Sequence, residues 1–203
     1  MLRLRVCVLA LLLVPAAPSF AAPLMPSTNP TMEDVDPGID HTGRDKDLPS
    51  ELRRQSVYYR TEQPAGTIIV NTHDRYLYLI MGNGVAMRYG VGVGREGLAF
   101  AGTGTVQEKK QWPHWTPTPA MIARDPKRYA KWAQGMEGGA GNPLGARALY
   151  LFKDGKDTRY RIHGTTEPDS IGKAVSSGCI RMMNQDVIDL YARVPLGARV
   201  VVL

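Results

Sequence analysis

From residue 64 onward, short runs of apolar and β-branched residues alternate with clusters of glycine, proline, asparagine and aspartate. Runs of this length between turn-forming residues are typical of β-strands. Turn sequences suited to hairpins follow the first two runs, at residues 71–74 and 82–84. The pattern predicts strands over residues 67–71, 76–81, 86–93, 104–112, 148–152, 158–162 and 198–202.

One segment near the C-terminus has helical periodicity instead. Apolar residues recur there at helical spacing from Val187 to Val194, and Asn184 stands where it can cap the helix N-terminus. Shorter helical stretches are predicted over residues 119–123 and around 127–132. Because strands outnumber helices, the expected fold class is mainly β with a few short helices, arranged as a β-sandwich or flattened barrel.

Residues 1–21 have the composition of an export signal. Arg3 and Arg5 precede an apolar run that ends in a small-residue cleavage site. This run is too short to cross a bilayer comfortably, so we expect a cleaved leader and no transmembrane segment afterwards, with a retained anchor as the alternative. Residues 22–63 are largely polar and predict a linker or N-terminal arm, followed by a catalytic domain over residues 64–203.

Loss of the leader would also change the charge and the number of thiols. The formal net charge of +6 falls to +4 because two arginines are removed. The remaining basic residues are scattered without interleaved aromatics, which argues against binding to nucleic acid. Cys7 is removed with the leader, so Cys179 becomes the only thiol and cannot form an intramolecular disulfide. A lone cysteine can be a small buried hydrophobe as readily as a nucleophile, and its neighbours must decide.

The densest group of chemically capable residues surrounds this thiol. A free thiol is mostly protonated at neutral pH, so a cysteine nucleophile needs a base nearby, and His163 at the end of a predicted strand is the natural candidate. The Gly164 carbonyl could fix the imidazole tautomer. The backbone amides of Gly178 and Cys179 could stabilise an oxyanion. A purely structural role for His163 and Cys179 stays open, whereas metal binding is not expected because the other histidines lack metal-site spacing.

Three further features have two readings each. Arg181 could attract a substrate carboxylate or lower the thiol pKa, but a surface ion pair explains it nearly as well. Trp112 and Trp115 could form the floor of a substrate groove or pack a proline-rich loop. Residues 92–97 match a dinucleotide-binding fingerprint, but no βαβ unit surrounds them, so hairpin glycines are the preferred interpretation.

Two stretches, His163 to Gly172 and Ser176 to Met182, closely resemble the active-site signature of L,D-transpeptidases of the YkuD domain family. The resemblance extends upstream and covers the chain from about Leu48 onward. It implies the family's β-rich catalytic fold, with Cys179 as the acylated cysteine, His163 as general base and the Gly164 carbonyl as the group that steadies it.

The resemblance also has departures. Many members carry histidine where this chain has Ser177, and asparagine where it has Arg181. The first histidine is the one credited as the base, so activity should survive. Any assisting role of the second imidazole must be absent or supplied by another group. We expect Ser177, Arg181, Trp112 and Trp115 to contact the substrate.

The implied reaction is acyl transfer on peptidoglycan stem peptides in the periplasm, with no cofactor. The cysteine would form a thioester at the L-centre of diaminopimelate, release D-alanine and pass the acyl group to an amine of another stem or of a lipoprotein. Carbapenems would be inhibitors. Two alternatives stay open: hydrolysis of the same thioester by an L,D-carboxypeptidase or thiol amidase, and a noncatalytic peptidoglycan-binding module.

Overall fold

The computed structural model describes residues 48–95 and 100–203, so the predicted leader and most of the predicted linker arm lie outside the described residues. The strands are β1 (Gln55–Tyr58), β2 (Ile68–Asn71), β3 (Tyr76–Gly82), β4 (Val85–Gly90), β5 (Val93–Gly94), β6 (Gly102–Gln111), β7 (Arg147–Lys153), β8 (Lys156–His163), β9 (Ala174–Ser176), β10 (Ile180–Arg181) and β11 (Arg199–Val202). The helices are α1 (Pro119–Arg124), α2 (Pro126–Tyr129) and α3 (Asn184–Arg193), and short 3-10 turns lie at Ser50–Leu52, Ala130–Trp132 and Pro168–Ser170.

Nine of the described strands form one sheet in the order β1-β4-β3-β2-β11-β6-β7-β8-β10. Neighbours pair antiparallel except β2 with β11 and β8 with β10, which are parallel. Strands β5 and β9 form a separate parallel pair. The predicted fold class, mainly β with a few short helices, is confirmed.

Local sequence explains the β3–β4 hairpin near one edge of the sheet. Strand β2 is a buried run of β-branched residues, as expected for a strand covered on both faces. Strands β3 and β4 are joined at Asn83 and Gly84, which have φ angles of 52° and 73°. Two consecutive residues with positive φ make the tight turn that follows the strand twist, and this position favours Asn-Gly.

The seven predicted strands are all present, with one change. The predicted strand 86–93 is divided: β4 ends at Gly90, and Val93–Gly94 leaves the large sheet to pair with β9. Strands β1, β9 and β10 were not predicted. They have two to four residues each, too few to carry a hydrophobic period.

The main core lies between the sheet and helix α3. Val187, Leu190 and Val194 point from the helix into a cluster formed by Leu149, Ile162 and other buried strand residues. Burial of a Val, Leu or Ile side chain contributes about 2 kcal/mol each, so this face fixes the helix against β7 and β8. None of the helices in residues 48–95 and 100–203 has the length and apolar character of a membrane span.

The predicted capping role of Asn184 is wrong. Met183 occupies the N-cap position, with no side-chain cap, and Asn184 is the first residue of α3. Its side-chain amide instead accepts the N–H of Ala146 at 3.0 Å and donates to the carbonyl of Thr165 at 3.1 Å. The local pattern predicted that the Asn184 side chain would bond to its own helix. It bonds instead to residues that are distant in sequence.

The described part of the predicted linker arm, residues 48–63, contacts the domain. Leu48 is buried against Ile171 and Met183, and β1 extends the sheet by pairing with β4. Arg54 reaches the buried carboxylate of Asp189 at 3.4 Å. These contacts are long-range, and the polar sequence of this stretch gave no sign of them.

Candidate active site

The pairing of strands β8 and β10 brings His163 next to the segment that carries Cys179 and Arg181. In their parallel register Ile162 is opposite Ile180 and His163 is opposite Arg181. Ile162 and Ile180 are buried in the core, so His163 and Arg181 project from the other face. Cys179 lies two residues before Arg181 and therefore on the same side as these two residues.

His163 and Cys179 line one cavity of about 250 Å³. Its walls come from three parts of the chain: the β8–β10 region, the loop that precedes β7, and the segment that contains α1 and α2. The residues that line it are Trp115, Met121, Arg128, Tyr129, Trp132, Met136, Gly141, Pro143, Leu144, His163, Thr165, Thr166, Glu167, Ser176, Ser177, Cys179 and Arg181. The predicted nucleophile and base thus line the same open cavity.

The imidazole of His163 is oriented by the next residue. Its Nδ1 lies 2.5 Å from the carbonyl oxygen of Gly164. Because a carbonyl only accepts, Nδ1 carries the proton and donates, and Nε2 is left as an acceptor. Burial lowers the pKa of His163 to about 4, the nearby Arg181 and Arg161 lower it further, and the bond to Gly164 opposes them. The imidazole is therefore neutral at neutral pH and able to take a proton.

Cys179 is a free cysteine of intermediate exposure, and its Sγ lies 3.9 Å from the carbonyl oxygen of Arg159. Burial of the sulfur raises its pKa, and the backbone N–H of Arg161 and the charges of Arg161 and Arg181 offset this only in part. At rest the cavity therefore holds a neutral thiol and a neutral imidazole rather than a thiolate and an imidazolium. The nucleophile must lose its proton during attack.

The loop before the thiol has a backbone that favours glycine. Gly178 has a φ of 130°, and its N–H donates to Ser176 Oγ at 3.1 Å. Ser176 in turn donates to the Cys179 carbonyl at 2.6 Å. The predicted oxyanion role of the Gly178 amide is thus disfavoured, because Ser176 already accepts this N–H. The Cys179 amide remains the candidate oxyanion donor.

Three of the four predicted substrate contacts lie at the cavity: Ser177, Arg181 and Trp115. Trp115 is 9% exposed and packs with its ring centroid 6.2 Å from that of Tyr129, so it packs within the loop and also borders the cavity. Its contact with substrate stays a prediction. Trp112 is not among the lining residues. It follows β6 with a φ of 43°, and its N–H donates to the carbonyl of Ala146.

The segment of residues 119–132 forms one wall of the cavity, which the sequence did not predict. Thr118 Oγ1 caps α1 by accepting the N–H of Met121, and Asp125 caps α2 by accepting the N–H of Arg128. The predicted helical stretches there are confirmed. Their position over the thiol depends on long-range contacts that have no local signature.

Two side-chain contacts tie this segment to the site. Arg124 donates to Ser177 Oγ at 3.1 Å, so a guanidinium lies beside the position where many members of the resembled family have imidazole. Glu167 accepts from Arg128 at 2.6 Å through one oxygen and from Arg181 at 2.7 Å through the other. Sequence reasoning missed Arg124 and Arg128, which no periodicity or motif marks. It also assigned no role to Glu167, although this residue lies within the signature stretch His163 to Gly172.

Gly92, the first glycine of the dinucleotide fingerprint, pairs with the strand that follows the nucleophile. The N–H and the carbonyl of Gly92 bond to the backbone of Arg181 at 2.9 and 2.8 Å. A Cβ at Gly92 would meet the carbonyl of Ser170 at 2.5 Å, so only glycine fits this approach. The next described element is strand β6, so no helix of a βαβ unit follows among the described residues. Within residues 48–95 and 100–203, no three His, Cys, Asp or Glu side chains are grouped as a metal site.

Residues 65–202 match the profile of the YkuD family, the L,D-transpeptidase catalytic domain. The chain belongs to this family. It is 30% identical over 175 residues to a probable L,D-transpeptidase, YbiS, of Escherichia coli K12, a match that covers 83% of this chain and 54% of that protein. The chain thus spans about half the length of this L,D-transpeptidase relative.

Solved structures agree with this fold. A Brucella melitensis protein described as a probable carnitine operon oxidoreductase is 49% identical, with a TM-score of 0.53, covering 79% of this chain and 99% of that one. L,D-transpeptidase 3 of Mycobacterium tuberculosis, solved with a faropenem-derived adduct, has a TM-score of 0.50 at 17% identity, covering 67% of this chain and 59% of that one. The latter shares the fold of the L,D-transpeptidase catalytic domain.

Proposed function

We propose that the protein is a cysteine-dependent L,D-transpeptidase that acts on peptidoglycan stem peptides in the periplasm. One observation carries the proposal: Cys179 and a neutral, oriented His163 line the same cavity. Membership of the L,D-transpeptidase catalytic-domain family supports the class of reaction. The groups that the reaction requires are a nucleophile, a base and an oxyanion donor, and this chain has a candidate for each.

In the first step Cys179 is acylated. Its sulfur attacks the carbonyl carbon at the L-centre of diaminopimelate in a tetrapeptide stem while His163 Nε2 takes the thiol proton. The Cys179 amide stabilises the oxyanion. The bond from the carbonyl carbon to the D-alanine nitrogen then breaks, and the imidazolium returns the proton to this leaving amine. The products are D-alanine and a thioester.

In the second step the thioester is transferred. An acceptor amine attacks the thioester carbonyl, His163 takes a proton from it, and the thiolate leaves and is reprotonated. Diaminopimelate of a neighbouring stem would give a 3-3 cross-link, and a lipoprotein lysine would give an anchored protein. If water is the acceptor, the same intermediate gives L,D-carboxypeptidase or amidase activity.

The resting protonation states of His163 and Cys179 are those that a proton transfer during attack requires. A buried imidazole with a pKa of about 4 is available as a base throughout the neutral range. A thiol with a raised pKa stays protonated until a substrate carbonyl is in place. The nucleophile is therefore formed only during attack, which protects the single thiol of the predicted mature chain from unproductive reaction.

The proposal is tested by intact mass after incubation with a carbapenem. We expect the wild type to gain the mass of one inhibitor and Cys179→Ala to gain none, with Lys127→Gln, at an exposed position on α2, as a control that keeps the thiol and its loop. An unmodified wild type, or equal modification of Cys179→Ala, would contradict the proposal. Binding to sacculi without any adduct would indicate the noncatalytic module.

Analysis of the reaction products then distinguishes the possible acceptors. Incubation with disaccharide tetrapeptide should release D-alanine and yield cross-linked dimers. Tripeptide alone would indicate hydrolysis, and an adduct with a lysine-containing peptide would indicate lipoprotein attachment.

A further inference from the structure

Glu167 joins two arginines from different parts of the fold at the rim of the catalytic cavity. Arg128 lies on α2 and Arg181 on β10, and each donates to a different carboxylate oxygen of Glu167. Burial acts to raise the pKa of Glu167, but the bonds from the two arginines outweigh it, and the pKa lies below its usual value. The carboxylate therefore stays charged and keeps both guanidinium groups in place.

These three residues give the cavity a net positive charge. Two guanidinium groups face one carboxylate, and the imidazole of His163 is neutral. Two other arginines lie nearby: both oxygens of Asp157 accept from Arg161 at 2.7 and 2.8 Å, and Arg124 donates to Ser177 Oγ at 3.1 Å. Arg128 and Arg181 are the two arginines that line the cavity, and their excess positive charge would attract an entering anion.

Both guanidinium groups retain donors for such an anion. Each has five N–H groups, and Glu167 accepts from one nitrogen of each. Ion pairs between groups as exposed as Arg128, whose side chain is 60% exposed, contribute little to stability. The arrangement of the three charges is thus better explained by recognition than by folding.

We propose that Arg128 and Arg181 bind the terminal carboxylate of the leaving D-alanine and that Glu167 is the positioning residue that holds them. Arg181 is opposite His163 in the strand register, and His163 must deliver a proton to the leaving nitrogen. The D-alanine carboxylate is only one carbon from this nitrogen, so it lies within the reach of Arg181. This inference rests on the proposed function. It assigns to the two arginines the preference for a stem peptide that ends in a free carboxylate.

The test compares two tetrapeptide donors that differ only at the last group, a free D-alanine carboxylate or its carboxamide. Release of D-alanine or D-alaninamide is measured, with kcat and KM determined separately. We expect the wild type to prefer the acid by a factor on the order of ten or more in kcat/KM, mainly through KM. Arg128→Gln should lose this preference, Arg128→Lys should restore part of it, and Glu167→Gln should weaken it.

Lys127→Gln is the matched control, since it removes an equal charge from the neighbouring exposed position on α2. It should keep the wild-type preference. Labelling of Cys179 by iodoacetamide at equal rates in all variants verifies that the site is intact. An Arg128→Gln enzyme that still prefers the acid as the wild type does, or an equal loss in Lys127→Gln, overturns this inference alone. A wild type that releases nothing from either donor overturns the proposed function and the inference with it.

Discussion

Arg181 lies directly opposite His163 in the parallel register of β10 and β8, and the residue after Arg181, Met182, donates its N–H to the His163 carbonyl at 2.8 Å. Residues far apart in sequence are therefore held by one stretch of backbone pairing. A shift of one residue would turn Arg181 and Cys179 to the opposite face of the strand. The backbone pairing thus fixes His163 relative to β10, the strand that directly follows Cys179.

The raised pKa of Cys179 makes its alkylation depend on alkaline pH. We expect the rate of reaction with iodoacetamide to be low at pH 7 and to rise with a midpoint above the ordinary thiol value of 9.0. Peptide mapping identifies the labelled cysteine. His163→Asn should abolish acylation by a carbapenem at pH 7 while leaving alkylation at pH 10 almost unchanged, because the thiolate forms there without a base. A midpoint at or below pH 7 would argue for a preformed thiolate.

The lowered pKa of His163 should make the fold sensitive to mild acid. The folded state has a pKa of about 4 and the unfolded state one of about 6.5, so only the unfolded state is protonated between these values. The free energy of unfolding should therefore fall as the pH drops through this window, by about 3 kcal/mol in total. Urea unfolding at pH 7.5 and 4.5 measures the loss. His163→Asn should show a smaller loss, and an identical pH slope in both proteins would refute this account.

Asn184 should support the base through the loop that carries Gly164. Its side chain bridges the Ala146 N–H and the Thr165 carbonyl, so Asn184→Ala removes two hydrogen bonds, at a cost of about 2 kcal/mol. Acylation should slow by more than the loss of folded protein explains, because the Gly164 carbonyl no longer has a fixed position. Asn184→Asp keeps one of the two bonds and should retain more activity. Equal acylation rates in the wild type, Asn184→Ala and Asn184→Asp would show that Asn184 does not support the base.

Asp189 should matter to stability and not to the chemistry. It is 5% exposed, accepts from the Tyr89 hydroxyl at 2.6 Å and takes two bonds from Arg193. Asp189→Asn removes the charged acceptor of the bonds from Tyr89 and from the partly exposed Arg193, and should cost about 2 kcal/mol in chemical unfolding. Glu108→Gln, which removes an exposed pair with Lys110, should change stability by about 1 kcal/mol or less. Similar losses in the two variants would contradict the difference in burial.

Several parts of this picture were accessible from sequence. The strands at 67–71 and 148–152 and helix α3 have enough residues to show a hydrophobic period, and these elements were predicted. The pairing of the chain's lone candidate thiol with His163 followed from the need of a thiol for a base, and the family signature supplied the same pair. Export of the protein stays a prediction, because the leader lies outside the described residues.

Only the tertiary structure determined which distant segments contact each other. Strand β10 has two residues, and its register against β8 is set by a sheet that local sequence does not encode. The same holds for Glu167, which acquires meaning only when α2 and β10 bring Arg128 and Arg181 to it. Composition and periodicity record which side chains prefer to be buried or paired. Which partner each one contacts depends on the fold of the whole chain. The candidate thiol and base could therefore be named from sequence, whereas the two arginines that Glu167 joins could not.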